Sequence, residues 1–179
     1  RAKFFHNLGQ DLVAMSGKFH TSWGEFGGFK HPDALRYEAA SMIAYGAACN
    51  FGDQLHPSGE MDRSTYGLIG EAFAYVEQIE EYGMGGRPYS TLGLWRTLNE
   101  ADDEGVSRML LETHLDYAVV DPAADLSAYD TIVMTGSAGL GREHAAKLTA
   151  FVQDGGKLLV LGESALDVDG EQFLLDVGA

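Results

Sequence analysis

Cysteine, proline, basic side chains and long apolar runs are all scarce in this sequence. The one cysteine, Cys49, excludes an internal disulfide and any zinc site built on several thiolates. It lies in "YGAACNFG", among small apolar residues, where a free thiol is expected in the core. Only 12 Lys and Arg stand against 27 Asp and Glu, a formal net charge of −15. Such a surface repels phosphate backbones, so nucleic acid is not an expected partner. No apolar run nears the ~20 residues that span a bilayer, and no charged-then-apolar leader opens the chain. A membrane is therefore not an expected partner, and a soluble, cytoplasmic protein is the expectation. The first residue is Arg1 rather than methionine, which suggests a processed chain or a piece of a longer one.

What is present divides into two parts. Three glycines and a proline in "EEYGMGGRPYS" end one periodic segment and begin another, which places a boundary near residue 87. Residues 1–87 carry 7 basic and 11 acidic side chains, a net of −4, and residues 88–179 carry 5 and 16, a net of −11. There is no internal repeat and no low-complexity tract.

The first part reads as two strand–loop–helix units. "DLVAMSGKF" is a strand candidate, followed by the glycine-rich loop "HTSWGEFGGFKH". Pro32 suits the first turn of a helix whose inner face is Leu35, Ala39, Met42 and Ile43, with Gly46 ending it. "AACNF" is the second strand, followed by the loop "GDQLHPSGEMD". Asp62 is the expected N-cap of a helix striped by Leu68, Ile69, Ala72, Phe73, Val76 and Ile79. Each cluster of polar and aromatic residues thus follows a strand and precedes a helix, which in a (β/α) barrel is the mouth where chemistry sits.

The second part alternates strands "STLGLW", "DYAVV", "DTIVM" and "KLLVLG" with two helices. Val106, Met109 and Leu110 are expected inward on the first helix, and Ala145, Leu148, Phe151 and Val152 on the second. This pattern predicts a parallel sheet covered on both faces, flavodoxin-like or Rossmann-like. The fold class expected overall is α/β: strand–helix units of a (β/α)8-type barrel, then a flavodoxin-like parallel-sheet domain.

Two motifs in the second part are incomplete. "GESAL", Gly162 to Leu166, begins like a nucleophile elbow, but Leu166 replaces the last glycine and no histidine follows His144. "GSAGLG", Gly136 to Gly141, lacks the ending and spacing of a phosphate loop. Both read more simply as turns. A hydrolase centred on Ser164 is a further alternative.

The run "SGKFHTSWGEFGGFKHPDALRYEAASMIAYGAACNFGDQLHPSGEMD" resembles the end of the catalytic barrel in α-L-fucosidase-like glycoside hydrolases, among them a hypothetical glycosyl hydrolase group. The run from Met109 to Ser164 resembles the amidotransferase-like domain that follows such barrels, called the trimerisation domain in β-galactosidases. The resemblance implies residues 1–87 as the C-terminal part of a glycosidase barrel, and residues 88–179 as an incomplete amidotransferase-like domain. A barrel needs about 250 residues, so the earlier strands would lie upstream. The nucleophile of the fucosidase relatives, an aspartate on an earlier strand, would lie there too, leaving this stretch inactive alone.

Each candidate site residue carries a functional and a plainer reading. Retaining glycosidases use two carboxyl groups about 5 Å apart. Glu25 is the candidate acid/base, with Trp23 expected to desolvate it and raise its pKa; the plainer reading is a carboxylate that pairs with Lys18 or Lys30 or caps a turn. Asp53 either binds a sugar hydroxyl or accepts backbone N–H groups to position its loop. Trp23 offers a stacking face, whereas Phe26 and Phe29 read as loop packing. His20 and His56 each donate to a sugar or serve as supporting histidines. A metal held by His20, His56, Glu25 and Asp53 has no supporting ligand spacing, so no metal or cofactor is expected. The partners expected are a carbohydrate substrate and further copies of the chain, through the second domain. The alternative is a non-catalytic module for carbohydrate binding or subunit assembly.

Overall fold

The computed structural model describes residues 2–6, 11–87, 89–136 and 139–178. The chain divides into two compact units, Arg1–Arg87 and Pro88–Ala179.

The first unit holds helix α1 (Ala2–Phe5), strand β1 (Val13–Gly17), helix α2 (Pro32–Ala44), strand β2 (Ala48–Gly52) and helix α3 (Arg63–Gly83). β1 and β2 pair in parallel, from Val13 opposite Ala48 to Gly17 opposite Gly52. The Lys18 N–H extends the ladder by donating to the Gly52 carbonyl at 3.1 Å. Proline at the start of α2 needs no backbone donor, and the His31 ring accepts from the Asp33 N–H, so the helix begins at Pro32. Its period buries Leu35, Ala39, Met42 and Ile43. Leu35 meets Ile69 and Ala72 of α3 in one small core, and Ala39 and Ile43 meet Val76 in another. Phe73 of the expected α3 stripe lies at its rim, 37% exposed and edge-on to Phe51 at 5.6 Å. Cys49 is half-buried with Ala39, Ile43 and Val76, and burial pushes its thiol pKa up.

Asp62 caps α3. One carboxylate oxygen accepts from the Ser64 and Thr65 N–H groups at 3.0 and 3.4 Å, the other from the Thr65 hydroxyl at 3.0 Å. The Thr65 hydroxyl above all, and then the two N–H groups, hold its carboxyl below the usual aspartate range. Asp62→Ala is expected to lower the thermal midpoint by a few degrees at neutral pH. A depressed folded pKa stabilises above the unfolded value and is lost as pH falls through the folded one. Melts of the two proteins should therefore converge in strong acid, and a gap that persists there would assign the effect to something other than the ionised cap.

The second unit holds β3 (Leu92–Trp95), α4 (Glu100–Glu112), β4 (Ala118–Val120), β5 (Thr131–Met134), α5 (Arg142–Gln153) and β6 (Lys157–Val160). The sheet runs β4-β3-β5-β6 with every pair parallel. That is the start of a flavodoxin-like order. Leu94 lies opposite both Val119 and Val133, so β3 is central and apolar throughout. Trp95, Val120, Ile132, Met134, Ala145 and Leu148 form the main core, each large member contributing about 1.5–3 kcal/mol by burial.

Two expected core residues lie outside. Met109 is 62% exposed and Val152 45% exposed. On α4 the inward line is set by a polar residue, Asp103, which is buried, with Val106 and Leu110 half-buried one and two turns on. Met109 falls beside that line. On α5 the line runs Ala145, Leu148, Phe151, which turns Val152 outward.

Asp103 ties two strand ends together. It accepts from the Thr97 N–H and hydroxyl and from the Leu98 N–H, beyond β3, and from the Thr135 hydroxyl at 3.1 Å, beyond β5. Leu98 is held at φ 65°, a left-handed conformation that costs a leucine free energy.

Candidate functional site

The functional candidates of the first unit gather where β1 and β2 end. The loop after β1 is closed at its neck, where the Lys30 N–H donates to the Lys18 carbonyl at 3.0 Å. The Lys30 ammonium also binds the Ser16 hydroxyl at 2.9 Å and both Glu38 oxygens at 2.8 and 2.9 Å, pinning the loop to β1 and α2.

Trp23 folds back from that loop onto the strand ends. A Cβ added at Gly52 would stand 2.4 Å from its Cη2, and one at Gly17 would stand 2.9 Å from its Cζ3. The two glycines are therefore the seat of the indole, and any side chain there would unseat it. Buried Phe19 steadies the ring from the side, 5.1 Å between centroids. Trp23 is still 66% exposed, an aromatic surface held over the strand ends and left open to solvent.

Beneath this lies Lys18, which from sequence alone is no more than a possible partner for Glu25. Directly after β1, it has a side chain only 8% exposed. Its ammonium stands 5.3 Å from the Phe29 ring centroid and 5.8 Å from that of Phe19. Its nearest carboxylate is Asp53, directly after β2, at 3.6 Å. Asp53 also accepts from the Gln54 N–H at 2.7 Å, as its loop-positioning reading requires. The Gln54 side-chain oxygen next to it is buried without a donor among the described residues. The one sequence signal for Lys18 is its position at a strand's C-terminal end.

The remaining candidates lie on the outer parts of the two loops. Phe26 meets His56 edge-on at 6.4 Å, so the loops touch. His56 is exposed, and its Nδ1 lies 2.8 Å from the Ser58 hydroxyl and 3.2 Å from the Ser58 N–H, contacts that tie the ring to its own loop. His20 is exposed beside Glu25. Glu25 accepts from the Thr21 N–H and hydroxyl, each at 2.8 Å. Those bonds, the N–H first, hold its carboxyl below the usual glutamate range, with a smaller contribution from His20. The shift is opposite to the rise expected from Trp23, because Trp23 is spent on the strand glycines.

In the second unit, a cavity of about 210 Å³ opens where β3 and β5 diverge, lined by Trp95, Arg96, His144 and Ser164 among others. Ser164 is buried and its hydroxyl donates to the Leu161 carbonyl at 2.9 Å, the bond of a turn. Arg96 is paired with Asp121. Residues 137 and 138 of "GSAGLG" lie outside the described residues. Among the described residues no cluster of three or more His, Cys, Asp or Glu is placed to hold a metal, and no helix is long and apolar enough to cross a membrane.

A parallel sheet in flavodoxin-like order, preceded by two parallel strand–helix units whose polar loops share one end, is an α/β architecture shared with part of an α-L-fucosidase and of several β-galactosidases. Residues 90–173 match the family model "GLMA-like, second domain", which is of the β-galactosidase trimerisation type. The chain is 40% identical to α-L-fucosidase isoenzyme 2 from Paenibacillus thiaminolyticus, with a TM-score of 0.86, over 98% of this chain and 28% of that one. β-Galactosidase from Bacillus circulans sp. alkalophilus shares the fold at 12% identity and a TM-score of 0.73, over 96% of this chain and 31% of that one. A β-galactosidase from the haloarchaeon Halorubrum lacusprofundi does so at 15% and 0.64, over 94% and 30%. The chain thus spans less than a third of each of these proteins. No curated protein matches it. The resemblance to α-L-fucosidase-like enzymes, and the α/β fold class that goes with it, are borne out.

Proposed function

We propose that this chain is part of a glycoside hydrolase with α-L-fucosidase-like or β-galactosidase-like activity. Residues 1–87 supply the last strands and part of the sugar-binding mouth of its barrel. Residues 88–179 supply the assembly domain, through which copies of the chain associate. The observation that carries this reading is the Trp23 indole seated on Gly17 and Gly52, with Lys18 and Asp53 at the same strand ends. It presents an apolar aromatic surface beside hydrogen-bonding groups, the pairing that binds a ring with one C–H face and several hydroxyls. The 40% identity with a fucosidase supports the same class. The stretch alone lacks a complete pair of catalytic carboxylates in this reading, so the nucleophile comes from an earlier strand of the same enzyme.

A panel of aryl glycosides offered to the complete polypeptide tests this, with hydrolysis of a fucoside or a galactoside expected. Sugar binding without turnover of any glycoside would favour the non-catalytic module instead. Glu25 is kept as the candidate acid/base, but its Thr21 hydrogen bonds favour a second role, holding the turn as a carboxylate. Glu25→Gln is accordingly expected to cost only a few-fold, equally on aryl glycosides and on glycosides with poor leaving groups. A loss of about 100-fold or more confined to the poor leaving groups would instead make Glu25 the proton donor.

A further inference from the structure

Lys18 is a largely buried cation whose ammonium makes no hydrogen bond to the described residues, although the atom itself is not sealed from solvent. An ammonium carries three donors, yet among the described residues Lys18 Nζ donates no hydrogen bond. Asp53 Oδ1, at 3.6 Å, lies beyond hydrogen-bond length. The rings of Phe19 and Phe29 attract the charge without accepting a conventional hydrogen bond. Asp53 is open on its other side: the Gln54 N–H and the Lys18 charge both address Oδ1, and among the described residues nothing donates to Oδ2. A donor without an acceptor therefore stands beside an acceptor without a donor, at the strand ends beneath an aromatic platform.

The chemistry of that pair selects its ligand. A carboxylate, sulfate or phosphate would satisfy Lys18 but face Asp53, and Asp62 also lies close enough to feel the Lys18 charge. A hydroxyl satisfies both members at once, accepting from the ammonium and donating to the carboxylate. Resting on the glycosidase reading above, we propose that Lys18 and Asp53 together grip one hydroxyl of a neutral sugar, Lys18 serving as a specificity-determining contact for that hydroxyl and Asp53 turning acidic sugars away. The gap of 3.6 Å then reflects a pair set to share a guest. Each bond to a charged partner is of the stronger kind, and a site built for a hydroxyl discriminates against an analogue lacking it.

Calorimetric titration of the complete polypeptide with L-fucose, D-galactose, their monodeoxy analogues and D-galacturonic acid tests this, on wild type and Lys18→Met. Methionine keeps an unbranched stem between the two rings. In wild type, removal of one particular hydroxyl is expected to weaken binding about tenfold or more. In Lys18→Met the same removal should make a factor near one, with the other deoxy positions unchanged in rank. Should Lys18→Met not fold, Asp53→Asn carries the same expectation through the acceptor. Equal deoxy penalties in wild type and variant would overturn the grip and leave Lys18 as loop packing. Galacturonate binding more tightly than galactose would overturn it in favour of an anion site. Sugar binding with the Lys18 signature but no glycoside hydrolysis would uphold the grip and remove the glycosidase reading, whereas a wild type that binds none of the sugars would remove both.

Discussion

Trp23→Ala in the complete polypeptide is expected, on the glycosidase reading proposed above, to lower kcat/KM toward a glycoside about 50–100-fold while moving the unfolding midpoint little. The two effects separate because the indole is 66% exposed, so its removal uncovers only the Gly17 and Gly52 backbone and the edge of Phe19. A sugar laid against the free part of the ring would cover on the order of 100 Å² of apolar surface, about 2.5 kcal/mol. At 1.36 kcal/mol per factor of ten, that gives the expected loss. Gly52→Ala should reproduce much of it without touching the ring, because the new methyl occupies the place of Cη2 and lifts the indole. Steady-state kinetics beside thermal melts decide the matter. An unchanged rate in Trp23→Ala would remove the stacking platform, and a rate lost together with the fold would make Trp23 a packing residue.

Asp103→Ala carries the largest expected cost in stability. Its carboxylate is 4% exposed and accepts from two N–H groups and two hydroxyls. Alanine leaves those donors without partners in the interior and releases the strained turn at Leu98. A loss of about 3–5 kcal/mol is expected from orphaning a buried network of this kind. Thr135→Val, which removes one donor and nothing else, should cost about 1 kcal/mol. Urea unfolding followed by tryptophan fluorescence reads both, since Trp95 sits in the core of the same unit. A cost below about 1 kcal/mol for Asp103→Ala would mean that the four donors find other partners.

The strands and helices were legible because the rules that form them are local. Pro32, Asp62 and Gly46 each act on their own backbone, and they mark the helix limits as expected. The runs "AVV" and "TIVM" stand as β4 and β5 because an apolar run that short can be buried on both faces only in a sheet. The choice of helix face was less legible. Met109 and Leu110 are equally apolar, and what turns the helix between them is Asp103, a charged residue whose burial depends on Thr97 and Thr135 from elsewhere in the fold.

The candidate site shows the same divide. That two loops following strands carry the polar and aromatic groups could be read from order alone. That Thr21, four residues before Glu25, would claim its carboxylate, and that Trp23 would settle on Gly17 and Gly52, depended on how the loop folds back on itself. The sequence offers Lys18 only as a partner for Glu25, because a lysine is ordinarily a surface residue and nothing in the chain's order says that it will be buried near two phenylalanines and Asp53.

The glycine seat of Trp23 has a bearing on how such a mouth can be refashioned. Because the ring rests on main chain, its height above the sheet is set by the pleat of β1 and β2 and not by any neighbouring side chain. Exchanging the aromatic residue in the loop alters the reach and breadth of the platform but asks no compensating change of the strands. Enlarging either glycine closes the berth to every aromatic residue alike. The scaffold therefore confines variation to the occupant and forbids it in the seat, so that, on the proposed reading, sugar preference can drift by single substitutions in the loop while the strands are left as they were.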